Sequence, residues 1–157
     1  MNKDCLKNLV IINGKDIWTE FGAFLTEEKR GGRENQTAIM TASKVKKHVA
    51  VDIRERNGSK YSSKLDVKNQ ERDVTLHFAL VASSCVEWLT LYRSFISFLK
   101  TGQDGWLNIR FPDLDFTMRV FYVDSPAYKS LTSIWVDGAQ LQASRFKVKF
   151  CEPVPSF

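Results

Sequence analysis

The clearest pattern along the chain is an alternation from Asp73 to Ala82, with Val74, Leu76, Phe78 and Leu80 on one side and Thr75, His77, Ala79 and Val81 on the other. A period of two predicts a strand over a core. The period then changes. Cys85, Trp88, Leu89, Tyr92, Phe95, Ile96 and Leu99 fall on one face at three- and four-residue spacing, which predicts an amphipathic helix. Ser84 and Glu87 stand at capping-box spacing, where a hydroxyl and a carboxylate accept from the unpaired amides of a helix start. Gly102 sits where a left-handed C-terminal cap belongs, so the helix is expected over about residues 84–100. A helix this apolar on one side must lie across a sheet.

Strand signals flank this unit. Leu9 to Ile12 runs into Asn13-Gly14, a type I′ hairpin turn. Ile17, Trp18, Phe21, Phe24 and Leu25 fit a strand and a short turn equally well. Thr37 to Met40 and His48 to Ile53 read as short strands, and so do Trp106–Phe111, Phe116–Val123, Leu131–Val136 and Ala143–Cys151. Pro112-Asp113, Ser125-Pro126 and Asp137-Gly138 are the turns between the last four. Glu152-Pro153-Val154-Pro155 ends regular structure, because proline cannot continue a ladder. Many strands and one long, late helix predict a mostly β fold, an antiparallel β-sandwich or open barrel with one flanking α-helix. Strands do not alternate with helices, which argues against a doubly wound fold.

At 157 residues the chain is expected to form a single domain over 1–157, large enough to fold without disulfide or metal. Cys5, Cys85 and Cys151 are scattered and read as ordinary reduced thiols. Leu9 to Ile12, the longest apolar run near the start, is too short for a signal peptide or membrane span, which predicts synthesis in a cytoplasm and no membrane partner. The net charge of +5 is unevenly placed: residues 29–68 hold eleven cations against four carboxylates, a net of +7. Gly31-Gly32 and Asn57-Gly58-Ser59 punctuate this stretch as loop. Mobile basic loops are therefore expected around 29–47 and 54–68, ordering on a partner. Their candidate assembly residues are Arg30, Arg33, Lys44, Lys46 and Lys47 in the first, and Arg54, Arg56, Lys60 and Lys64 in the second.

Catalytic chemistry finds little support. His48 and His77, the two histidines, have no metal-ligating spacing, and no Gly-x-Ser-x-Gly elbow or phosphate-binding glycine motif is present. Asp113 and Asp115 read as turn carboxylates. No catalytic, cofactor or metal site is predicted, and the chain is not expected to be an enzyme. Clustered cations attract polyanions, but Tyr61 is the one aromatic within the basic stretch, whereas single-strand binders interleave several. No specific nucleic-acid partner is expected. A carbohydrate-binding sandwich would need a pocket lined by aromatics such as Trp106, Tyr128 and Trp135, and the tryptophans are read first as core.

A set of features in one order carries a resemblance. Ile12-Asn13-Gly14-Lys15-Asp16 leads to Trp18 and Phe21-Gly22-Ala23-Phe24-Leu25. The Arg56-Asn57-Gly58-Ser59-Lys60-Tyr61 loop precedes Glu71-Arg72-Asp73-Val74-Thr75-Leu76-His77-Phe78 and the helix. Gly102 to Arg110 follows with Phe111-Pro112-Asp113, and Phe146-Lys147-Val148-Lys149-Phe150-Cys151-Glu152-Pro153 closes the pattern. Over nearly its whole length the chain resembles the N-terminal, ring-forming domain of the distal tail proteins of long-tailed bacteriophages and prophages. The resemblance implies a β-sandwich with a flanking helix, and a structural virion protein whose six copies form a ring between the tail tube and the tail tip or baseplate. Its implied partners are further copies of itself and the tail-tube and tail-tip proteins. Larger members add a second, often carbohydrate-binding sandwich, and receptor binding is not expected of this sequence, which ends at Phe157. Another phage connector (a tail-tube, tail-terminator or baseplate subunit) is the neighbouring reading.

Overall fold

The computed structural model describes residues 3–126 and 132–157. After a 3₁₀ turn at Lys3–Leu6, the elements are β1 (Ile11–Ile12), β2 (Lys15–Asp16), α1 (Ile17–Phe21), β3 (Ala23–Leu25), α2 (Glu34–Met40), β4 (Ala50–Asp52) and β5 (Ser59–Tyr61). There follow β6 (Arg72–Ala82), α3 (Cys85–Thr101), β7 (Leu107–Phe111), a 3₁₀ turn at Pro112–Leu114, β8 (Phe116–Asp124), β9 (Thr132–Val136) and β10 (Ala139–Glu152). One antiparallel sheet runs β2-β1-β7-β8-β10-β6-β3, with β9 added to β10, and curls into a half-barrel. The fold is mostly β with a flanking helix, in the open rather than the sandwich form. Among the described residues β4 and β5 pair only with each other.

The alternation in β6 does what its period dictates. Its register with β10 sets Val74 opposite Phe150, Leu76 opposite Val148 and Phe78 opposite Phe146, so one continuous row of apolar cross-strand pairs faces inward. α3 lies over this row and is fastened by Trp88, whose indole N–H donates to the Leu80 carbonyl at 2.9 Å. The Phe95 ring meets Phe78 and Phe146 edge-on, with centroids 5.4 and 5.8 Å apart. Trp88, Phe95 and Leu99 are buried and Tyr92 and Ile96 pack against them, but Cys85 and Leu89 are exposed. The packed face is rotated toward Leu91 and Phe98, because α1 also presses on the helix: the Phe21 ring lies 5.3 Å from that of Phe98.

Several local expectations change in detail. The Ser84 hydroxyl accepts from the Glu87 N–H as a capping box requires, but the Glu87 carboxylate returns to Ser83 rather than Ser84. Gly102 has φ 49° and ψ −144°, a positive φ outside the left-handed helical well. A side chain there would strike the Trp106 carbonyl. The segment 17–25 resolves into both of its alternatives: Asp16 caps α1 by accepting from the Trp18 N–H at 3.2 Å, and left-handed Gly22 turns the chain into β3. Thr37 to Met40 is not a strand. It is the second half of α2, whose Ile39 carbonyl accepts from a tertiary partner, Arg72, that local propensity does not see. Trp135 is not core: it is 72% exposed on β9, which pairs with β10 and, among the described residues, with no other strand. Leu131 and Tyr128 lie outside the described residues.

The inward row of β6 and β10 ends on a charged pair. Register brings Arg72 opposite Glu152, and the two are 8% and 4% exposed. Arg72 Nε donates to Glu152 Oε2 at 2.7 Å, and Nη1 donates to the carbonyls of Ile39 at 3.0 Å and Thr41 at 2.5 Å. Its guanidinium carbon stands 5.0 Å from the centroid of the Phe157 ring. Arg72 thus satisfies carbonyls that the end of α2 leaves unpaired. β10 accordingly runs through Glu152, and Pro153 stops it. Breaking a buried pair from one side strands the other charge, so Arg72→Met is expected to lower unfolding free energy by about 3–5 kcal/mol in urea titrations. Arg72→Met with Glu152→Leu should recover part of that loss.

Candidate functional site: a basic arm and an apolar groove

Beyond the Arg72 clamp the chain leaves the body as a hairpin over residues 44–70. Its base is closed by the Lys46 N–H donating to the Lys68 carbonyl at 2.8 Å, the Gln70 N–H donating to that of Lys44 at 2.7 Å, and a bridge between Val45 and Asn69. Further out, β4 and β5 pair Ala50 with Tyr61, Val51 with Lys60 and Asp52 with Ser59. Each leg is about ten residues, which gives a reach of at most about 33 Å. Both legs are rooted at the same point. The incoming leg is held by the Thr41 carbonyl on Arg72 and by Ser43, whose N–H and hydroxyl donate to the Phe157 main-chain oxygen at 3.1 and 2.7 Å. The outgoing leg runs directly into Arg72.

The two basic stretches read from sequence are therefore one projecting arm and a separate turn. Lys44, Lys46 and Lys47 lie on the incoming leg, Arg54 and Arg56 in the turn at the tip, Lys60 on β5 and Lys64 on the return; all are exposed. Arg30 lies instead in the turn between β3 and α2, and Arg33 is the residue preceding the first turn of α2, so these two are not brought to the arm. The arm carries eight cations and three carboxylates, a net of +5 that equals the charge of the whole chain and leaves the body electrically balanced.

Charge is only half of the arm's surface. Val49 is 87% and Val51 56% exposed, and Tyr61, Leu65 and Val67 are exposed beside them. Val49 and Val51 stand two apart and share a side of the extended leg. The sequence signal for these residues was the β-branched run from His48 to Ile53, which reads as a strand but says nothing of whether a core covers it.

A second feature runs along α2. The 3₁₀ turn at Lys3–Leu6, β3, α2 and the turn at Pro112–Leu114 enclose an open groove of about 370 Å³, floored by Leu9, Val10, Ile17, Leu25 and Ile39, with Leu114 at its lip. Glu27, Glu34 and Asp113 line it with Arg33, so its charged groups are predominantly acidic. Glu34 opens α2, where no side chain at Arg33 caps the helix. Its carboxyl is held below the usual range, first by its own backbone N–H and then by those of Glu28 and Lys29, against the opposing effect of partial burial.

Among the described residues, Trp106 and Trp135 do not line a common hollow. Trp106 packs edge-on against Phe121 at 5.8 Å with the Arg119 guanidinium 4.4 Å from its ring centre. The shallow hollow beside it is lined by Lys100, Asp104, Gly105, Phe121 and Tyr122, not by Trp135. Burial, followed by Glu71 and Asp73, pushes the Cys151 thiol up. Among the described residues no group of three or more His, Cys, Asp or Glu is placed to hold a metal ion, and no helix is long and apolar enough to cross a membrane.

No family model and no curated protein matches the chain. Among solved structures it is similar to one described as the SPP1 Dit (gp 19.1) protein, "a paradigm of hub adsorption apparatus in Gram-positive infecting phages". Identity is 12% and the TM-score 0.48, over 89% of this chain and 48% of that one. The chain spans about half the length of that protein, and a likeness this distant carries no functional argument.

The Glu34 geometry has a pH consequence. Its folded pKa lies below the unfolded one, so the stabilisation is present above the ordinary carboxylate range and is lost as pH falls through the folded value. Urea titrations should show that Glu34→Gln is destabilising at about pH 7 and much closer to wild type at about pH 3.

Proposed function

We propose that this protein is a structural, non-catalytic subunit of a bacteriophage or prophage tail. It acts at the junction between tail tube and tail tip, where six copies close into a ring. The order of turns and strands that carries the sequence resemblance supports this reading. The observation that bears most on it is the arm: a basic hairpin with exposed valines, standing off an electrically balanced body. An isolated two-stranded hairpin is marginal in water, and exposed apolar side chains on one invite a partner. A protruding element on every copy, received by a different surface on the next, makes a head-to-tail contact that closes into a ring when the rotation permits.

In this reading the arm cations face a neighbouring subunit. A DNA-lining role is disfavoured, since a strongly basic lumen would retain a polyanion that has to slide through. Light scattering behind a sizing column, over a range of concentrations, is expected to give a mass approaching six times 18.0 kDa. Lys44→Glu, Lys46→Glu and Lys47→Glu together, all at exposed positions, should return the protein to monomer without loss of fold. A wild-type chain that stays monomeric throughout, or a triple variant that assembles like wild type, would count against the arm as the assembly element.

A further inference from the structure

We infer that the apolar groove between β3, α2 and the Pro112–Leu114 turn is the receptor for the arm of a second copy, with Val49 and Val51 seated toward its apolar floor. This rests on the assembly reading above and adds to it the acceptor surface. The two features are complementary in chemistry. The arm offers alternating valines flanked by Lys46, Lys47 and Lys60, and the groove offers a leucine- and isoleucine-rich floor beside Glu27, Glu34 and Asp113. The arm holds a net +5, and the charged residues of the groove hold three carboxylates against one arginine. Opposite charges at the margin of an apolar contact favour the correct pairing and speed its encounter.

The contact belongs between copies rather than within one. No residue of 44–70 lines the groove of its own chain, and Val49 and Val51 stay exposed. The groove lies along α2 and the arm leaves from that helix's C-terminal end, where Arg72 fixes its root. Donor and acceptor are thus different surfaces of one molecule, the arrangement that propagates head to tail.

Pairwise disulfide trapping tests this, since a disulfide forms only where Cα atoms come within about 4.4–6.8 Å. In a Cys5→Ser, Cys85→Ser background, which leaves only buried Cys151, one chain carries Val51→Cys and a second, distinguishable by mass, carries Leu114→Cys. Both positions are exposed, so neither change disturbs the core. The control pairs Val51→Cys with Val86→Cys, on the exposed side of α3. Under mild oxidation the expected result is a mixed dimer for Val51 with Leu114, its loss for Val51 with Val86, and its weakening in high salt. Chains that assemble by light scattering but trap neither pair, or trap both equally, would refute the groove while leaving arm-mediated assembly in place. Chains that neither assemble nor trap would refute both.

Discussion

The buried Arg72–Glu152 pair is the constraint on which the rest of the molecule turns. The inward row shared by β6 and β10 is apolar for most of its length, and its last pair is charged. Two hydrophobic residues could replace the ion pair itself, but they would leave the Ile39 and Thr41 carbonyls without a donor. What the guanidinium adds is reach. It spans from the sheet to the last carbonyls of α2 and stacks beside Phe157, so that a helix end, a strand end and the closing segment meet on one side chain. A hydrophobic pair would fill the space but could not hold the two legs of a hairpin in a fixed direction.

Apolar burial and net charge are divided by position. The aromatic cluster of Phe78, Phe95, Phe146, Trp88 and Tyr92 lies wholly in the body, which is electrically balanced. The arm concentrates the chain's net charge, has no strand partner outside itself among the described residues and buries almost nothing. Such a segment is poor at stabilising its own chain and well suited to binding another, because its contacts remain to be made. The groove along α2, an apolar surface left open in the isolated chain, is the counterpart we propose for it.

The parts of this design legible in the sequence were those governed by local periodicity. The alternation of β6, the helical face of α3 and the turns after Ile12 and Val136 appear where the pattern places them. Arg72 escaped because periodicity, followed outward from Val74, assigns its position to the core face while its charge suggests the strand has already ended. Glu152 escaped for the same reason beside Pro153. The short run Thr37 to Met40 reads as a strand, since the start of α2 lacks a capping side chain and its end is capped by a residue more than thirty positions away. The basic character of the arm was plain, but not its unity: pairing Lys44 with Gln70 is a long-range register that no local signal encodes. The groove was invisible, being assembled from four separate segments.

An arm that is rooted but unpartnered in the single chain, and covered in the assembly, is the central claim. Amide hydrogen exchange on the full chain, at low and at high protein concentration, tests it most directly. The account predicts rapid exchange across residues 46–68 in dilute solution and protection of those amides when concentrated, with β6 and β10 protected in both. Arm amides that exchange at the same rate at every concentration would contradict it.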